Sequence, residues 1–150
     1  MKIRRIVCPT DFSAPAGAAV EYAAEMARAF GAELLLLHVI PAMNYPLRSF
    51  GMAWPLPNLH EELRAHAAAE IEKVKKGIGP GVTVRTELRD GDAHAQVLAC
   101  AKANNADLIV MGTQGHTGLK HALLGSTAER VVRLAECPVL TVRGKTDAGA

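Results

Sequence analysis

The chain has 150 residues, 49% of them hydrophobic and 21% charged, which is the composition of one soluble globular domain. Its formal net charge of +2 is too small to indicate a nucleic acid or an anionic membrane as a partner, and 4% aromatic residues argue against a stacking platform for single strands. No stretch has the apolar core of a signal peptide or the roughly 20 apolar residues of a transmembrane helix, so we expect a cytoplasmic protein.

The first forty residues predict a strand, a helix and a second strand. The β-branched run from Ile3 to Cys8 is typical of a strand and ends before a proline. In the next segment Ser13 can cap a helix, Pro15 suits its first turn and Gly31 can end it. The run "ELLLLHVI" that follows is continuously apolar, as expected for a strand buried on both faces.

A proline-rich segment, residues 41–57, separates this strand from the second helix. It is longer than the roughly 12–15 residues beyond which loops become uncommon, so it is either a cover over a ligand or a segment that folds back on the domain or a partner subunit. Its aromatic residues are Tyr45, Phe50 and Trp54. Residues 58–77 then predict an amphipathic helix, with Asn58 and Glu61 in the spacing of a capping box.

The second half of the chain continues the alternation of strands and helices. The segment "VTVRTELR" alternates apolar and polar residues, which is typical of an edge or partly covered strand. Asp92 precedes a third helix, "ADLIVMG" predicts a fourth strand, "STAERVVRLAE" a fourth helix and "PVLTVR" a last strand. We therefore expect one domain over residues 1–143 and a disordered tail over residues 144–150.

Strands that alternate with helices indicate an α/β fold, in which an open, doubly wound sheet of five parallel strands is covered by four helices. A closed eight-stranded barrel needs roughly 250 residues and is excluded by length. In open parallel sheets, ligands bind beyond the carboxyl ends of the strands, where the winding direction reverses. The segments expected there are "PTDF" after the first strand, "GD" after the third and the glycine-rich loop after the fourth.

The glycine-rich loop, "GTQGHTGLKHALLGSTAERVV", has the chemistry of a phosphate site, although it matches neither the P-loop nor the dinucleotide-binding fingerprint. Gly112 and Gly115 let backbone amides approach a phosphate closely and can adopt positive φ. Gly125 and Ser126 open the fourth helix, whose first amides form an anion site, and Thr127 adds a hydroxyl.

The same residues also fit a structural role that needs no ligand. The sequence "STAE" has the form of a capping box, in which Ser126 caps the helix and Glu129 reaches back to it. Turn glycines likewise need no phosphate. On the loop chemistry alone, both interpretations stay open.

The spacing of these residues resembles a family pattern. Gly112-x-x-Gly115, a nine-residue gap and Gly125-Ser126 match the nucleotide-binding pattern of the universal stress protein family, and the likeness continues through "RRIVCPTDFS" and "PVLTVR" over nearly the whole chain. The resemblance implies an adenine-nucleotide-hydrolase-like fold with strand order 3-2-1-4-5. It also implies a homodimer paired through the last strands, and ATP binding in the members that keep the glycine pattern.

The resemblance assigns eleven positions to the nucleotide. Asp11 is expected at the adenine or ribose end and Val39 is expected to contact adenine through its backbone, with the adjacent wall formed by Pro9 and Thr10. The positions expected along the ribose and the phosphates are Met111, Gly112, Gly115, His116, Gly125, Ser126 and Thr127. A Mg²⁺ or Mn²⁺ ion, if bound, is expected to be held mainly by the phosphates, and the chain offers no metal motif of its own.

The last strand and the reactive side chains bear on the remaining alternatives. The strand is short, apolar and at a sheet edge, which favours pairing with a second copy. The residues expected at this interface are Val139, Leu140, Thr141 and Val142.

Asp11 and His116 could act as a base or polarise a phosphate, but no nucleophile, base and orienting group can be recognised together. Three functions follow: an ATP-binding regulatory dimer of the stress response, a slow ATPase or nucleotidyl enzyme, and an interaction dimer that binds no nucleotide.

Overall fold

The computed structural model of the protein describes residues 1–42, 58–114 and 124–144. Within these ranges strands and helices alternate along the chain. The strands are β1 (Arg5–Pro9), β2 (Glu33–Pro41), β3 (Thr83–Gly91), β4 (Leu108–Gly112) and β5 (Val139–Val142). The helices are α1 (Ala14–Phe30), α2 (Leu59–Gly77), α3 (Ala93–Ala103) and α4 (Ser126–Leu134).

The five strands form one parallel sheet in the order β3-β2-β1-β4-β5, which confirms the predicted α/β class and strand order. Helices α1 and α2 cover one face, and α3 and α4 cover the other. The central strand β1 is buried on both sides as a result: Ile6 and Cys8 pack with α1, Val7 packs with α3 and α4, and none of the three is more than 1% exposed. The edge strand β3 begins with the predicted alternation, with Thr83 and Arg85 exposed, but Glu87 and Arg89 further along the same side are half-buried.

The helix ends show where local sequence signals hold and where they fail. Helix α1 is capped as predicted, because the Ala16 N–H donates to Ser13 Oγ at 3.3 Å and Gly31 ends the helix at φ +64°. Asn58 does not cap α2 with its side chain, because its backbone is already helical rather than extended. Asp92 has the extended backbone of a cap, but it makes no side-chain capping bond to α3. No helix in the described ranges is long and apolar enough to cross a membrane.

Candidate functional site

A crevice opens at the carboxyl ends of the strands, between β1 and β4. The two strands lie side by side, but the chain leaves β1 for α1 on one face and leaves β4 for α4 on the other. This reversal of winding separates the two connections and leaves a cavity of about 250 Å³. The volume is close to the lower end of the roughly 300–1,000 Å³ that is usual for small-molecule sites.

The structure brings most of the predicted site residues together at this crevice. Nine of the eleven line it: Pro9, Thr10, Asp11, Val39, Met111, Gly112, Gly125, Ser126 and Thr127. Gly115 and His116 lie outside the described residues, as do Tyr45, Phe50 and Trp54. The shared location of the nine residues is a property of the fold, whereas their contacts with a nucleotide stay a prediction.

The turn from β1 to α1 forms one wall of the crevice and is held by its own side chains. The Thr10 hydroxyl accepts a hydrogen bond from the Phe12 N–H at 3.1 Å. The Asp11 carboxylate accepts the Ser13 N–H at 3.0 Å and also the Ser13 hydroxyl. Asp11 is the one acidic side chain among the described residues that line the crevice, and none of these is a lysine or an arginine.

The end of β2 runs past the last residue that pairs with β1 and presents this strand edge to the crevice. The last register pair of β1 and β2 joins Pro9 to Leu37, and the Thr10 N–H still donates to the Leu37 carbonyl at 2.8 Å. Val39 lies two residues further along β2, so its backbone N–H and C=O point to the same side as those of Leu37, beyond the end of β1. A planar ligand with a donor and an acceptor on one edge can therefore hydrogen-bond to the Val39 C=O and N–H, in the way that a further residue of β1 would.

Two glycines in the opposite wall lie against backbone carbonyls that leave little room for a side chain. A Cβ on Gly112 would lie 3.2 Å from the Pro15 carbonyl oxygen, and a Cβ on Gly125 would lie 3.1 Å from the Thr113 carbonyl oxygen. The Gly125 N–H donates to that same Thr113 oxygen at 2.6 Å, which closes the base of the loop. Neither glycine has a positive φ. Gly112 therefore does not adopt the left-handed conformation that the sequence allowed, and the space beside its Cα is the property that matters.

The capping box predicted at α4 is wrong. Gly125, with φ −67° and ψ 163°, is the residue that precedes the helix, and Ser126 is its first helical residue. Among the described residues no side-chain capping bond is made to this end, and the Glu129 carboxylate pairs with Arg133 one turn later. Gly125 is extended and donates its N–H to the Thr113 carbonyl, and the helix begins at Ser126, one residue earlier than the capping box requires. The Ser126 and Thr127 side chains therefore do not serve as caps.

The amino terminus of α4 is the electropositive part of the crevice. The first backbone amides of a helix have no carbonyl partner within it, and they carry the positive end of the helix dipole. In α4 the Glu129 N–H is the first to bond back, to the Gly125 carbonyl at 2.9 Å. The preceding amides of Ser126, Thr127 and Ala128 belong to residues that line the crevice, and together they form a site for an anion.

The cysteines do not supply a nucleophile to this site. Burial raises the pKa of the Cys8 thiol, next to Pro9, to about 12. Burial, followed by the nearby Glu87 carboxylate, raises the pKa of Cys100 to about 11, and burial also raises the pKa of Cys137. Thiols with such pKa values are protonated near neutral pH and unreactive. The described residues also contain no group of three or more histidine, cysteine, aspartate or glutamate side chains that could hold a metal ion.

Sequence reasoning did not identify all of the residues that line the crevice. Four further lining residues are neighbours of the predicted ones in the sequence: Leu37, His38, Thr113 and Gln114. Four others lie in the first turns of helices: Ala16, Ala93, Val97 and Ala128. Their shared signal is position, because each lies at a strand end or in the first two turns of a following helix. The structure places His38, half-buried, at the crevice.

Comparison with protein families and curated proteins gives a consistent result. The family model described as "Universal stress protein family" matches residues 2–143. The chain is 38% identical over 144 residues to the universal stress protein MJ0531 of Methanocaldococcus jannaschii, in an alignment that covers 93% of this chain and 82% of that protein.

Solved structures show the same likeness. The structure of MJ0577, a universal stress protein of the same organism, has a TM-score of 0.78 at 30% identity and covers 98% of this chain and 100% of that one. The universal stress protein UspA of Lactobacillus plantarum has a TM-score of 0.81 at 28% identity, covering 95% and 99%. Two structures at 23% identity share the fold: a universal stress protein in complex with cAMP, and one from Archaeoglobus fulgidus in complex with dAMP, with TM-scores of 0.66 and 0.59. The first covers 97% of this chain and 100% of that one, and the second covers 95% and 99%.

Proposed function

The chain belongs to the universal stress protein family, and we propose that it binds ATP in the crevice between the ends of β1 and β4. The observation that carries the proposal is the arrangement of two complementary features in one cavity. The strand edge at Val39 suits a planar base, and the first amides of α4 suit phosphates. The complexes with cAMP and dAMP show that proteins of this fold can bind adenine nucleotides. For this chain the ligand is inferred from its own crevice.

Each part of the crevice has a role in this proposal. The backbone of Val39 meets the polar edge of adenine, and the Asp11 carboxylate accepts a hydrogen bond from the adenine or ribose end. The amides at the start of α4, with the Ser126 and Thr127 hydroxyls, hold the phosphates. No described lining residue is a lysine or an arginine, so a Mg²⁺ or Mn²⁺ ion held by the phosphates would offset much of their charge.

Calorimetric titration of nucleotide-free protein with ATP and Mg²⁺ tests the site. A Cβ at Gly125 would lie 3.1 Å from the Thr113 carbonyl oxygen, and the larger side chain of valine would force this base of the loop to move, so Gly125→Val is expected to abolish binding. Gly17→Ala is the matched control, because Gly17 is exposed on α1 with nothing within 4 Å of an added Cβ. Undiminished affinity in Gly125→Val would contradict the assignment. Mass spectrometry of any nucleotide released from the purified protein by heat identifies which adenine nucleotide it carries.

We further propose that the protein is a cytoplasmic regulatory homodimer of the stress response, in which nucleotide occupancy changes its conformation or choice of partner. The support for a dimer is that β5 is a sheet edge of four residues, of which Val139, Leu140 and Thr141 stay half-exposed. A charge in a symmetric pairing of this edge would be buried against its own copy, so Leu140→Lys is expected to give monomers in sedimentation. A Leu140→Lys protein that stays dimeric would remove this interface.

Two other functions are separated from this one by direct measurements. A protein that does not bind ATP, yet is dimeric, would be an interaction dimer whose glycine loop is structural. Turnover of ATP well above the solution background, lost in Asp11→Ala, would indicate a slow ATPase or nucleotidyl enzyme. Binding without such turnover favours the regulatory function.

A further inference from the structure

The side chain of His38 is held against the turn that forms one wall of the crevice. Its Nδ1 lies 2.8 Å from the Thr10 carbonyl oxygen, and its ring stacks on the Phe12 ring with centroids 4.4 Å apart and planes at 27°. A carbonyl oxygen can only accept a hydrogen bond, so Nδ1 must carry the proton. In the neutral ring Nε2 is then the unprotonated nitrogen, and the contact with Thr10 determines the tautomer.

The turn that His38 contacts is strained. Phe12 has φ +65°, in the left-handed region that aromatic residues rarely adopt. Such a conformation persists only when the surrounding structure holds it. Thr10 is only 5% exposed, and each of its polar groups has a partner: its N–H donates to Leu37, its hydroxyl accepts from Phe12, and its carbonyl accepts from His38. Of these partners, His38 contributes both the bond to the carbonyl and a ring against Phe12.

We propose that His38 is a positioning residue for nucleotide binding. By donating Nδ1–H to the Thr10 carbonyl and stacking on Phe12, it holds the strained turn in the conformation that presents Asp11 to the crevice. Asp11 lies between these two anchored residues, so its backbone direction depends on both of them. The inference rests on the proposed function, in which the Asp11 carboxylate contacts the nucleotide, and it requires no contact between His38 and the ligand.

Two substitutions separate the hydrogen bond from the ring. His38→Phe keeps an aromatic ring beside Phe12 but leaves the buried Thr10 carbonyl without its donor, whereas His38→Asn keeps an N–H near the position of Nδ1 and removes the ring. If the turn is released, the association constant for ATP is multiplied by the fraction of molecules that still hold the turn. We expect His38→Phe to bind ATP about tenfold more weakly and His38→Asn to recover part of this loss. His66→Asn, on the exposed surface of α2, is the matched control.

A double-mutant cycle distinguishes positioning of Asp11 from a general loss of stability. ATP affinity is measured by calorimetry for His38→Phe, Asp11→Ala and the double variant, and thermal unfolding of each is recorded without nucleotide. If His38 acts through Asp11, then His38→Phe lowers the ATP affinity of the Asp11→Ala protein by about twofold or less. An equal loss of affinity in both backgrounds would overturn the proposal.

The tautomer is tested independently of any nucleotide. In the ¹⁵N NMR spectrum of the wild-type protein, at a pH where the ring is neutral, Nδ1 of His38 is expected to carry the hydrogen. A spectrum with hydrogen on Nε2 would overturn the proposal, even if the variants do not fold. Wild-type protein that binds no ATP would overturn the proposed function and its link to His38. The tautomer would then still report whether the Thr10 contact exists.

Discussion

Raising the pH above 9 should destabilise the folded protein through the buried thiol of Cys8. The side chain is fully buried in β1, and burial raises its pKa from 9.0 to about 12. Between these two values the unfolded thiol releases its proton while the folded thiol keeps it. The unfolded state then binds fewer protons, so the free energy of unfolding falls as the pH rises, and below pH 9 this contribution is constant.

The size of the effect follows from the shift. Each pKa unit corresponds to about 1.36 kcal/mol, so at about pH 11, two units above the unfolded value, the Cys8 thiol costs about 2.7 kcal/mol of stability. Replacing Cys8 by alanine removes this cost but leaves a small cavity, which lowers the free energy of unfolding by about 1 kcal/mol at every pH. Wild type is therefore expected to be the more stable protein near neutral pH and the less stable one at about pH 11.

Urea denaturation of wild type and Cys8→Ala across this pH range measures the difference directly. All other ionisable groups are shared by the two proteins, so their contributions cancel in the comparison. Cys100→Ala should show the same crossing over a narrower range, because the pKa of Cys100 is raised only to about 11. Parallel stability profiles for wild type and Cys8→Ala would refute the reasoning, since they would show that burial does not hold the thiol protonated.

Two further substitutions test the fold that carries the site. Gly17→Ala is expected to raise the free energy of unfolding by about 0.5–1 kcal/mol, because alanine is favoured over glycine within a helix and the added Cβ meets nothing within 4 Å. A lower melting temperature in this variant would contradict the expectation. Ile71→Ala is expected to cost about 2–5 kcal/mol in urea denaturation, because the side chain is 2% exposed and packs α2 on the sheet. A loss below 1 kcal/mol would show that α2 is not packed as described.

The site was partly predictable because it lies at positions that the fold class defines. Pro9 and Gly112 each end a buried strand, and Thr10 and Asp11 directly follow the first of these strands. Alternation of strands and helices was therefore enough to expect these residues at one edge of the sheet. The order of the strands came from the family resemblance, because the chain sequence does not say which of the parallel strands are neighbours. Without that order, the meeting of Asp11 with Gly125 could not have been derived.

The sequence by itself determined the fold class, since the continuous apolar runs of β1, β2 and β4 can be buried only in a sheet covered on both faces. The tertiary structure alone decided how individual groups are used. "STAE" fits a capping box, but Gly125 is extended and bonds to Thr113, the helix begins at Ser126, and the Ser126 hydroxyl is not involved in capping. The open strand edge at Val39 depends on where β1 stops beside β2, and the tautomer of His38 depends on a carbonyl 28 residues away. These are contacts between distant parts of the chain, and local sequence patterns do not encode them.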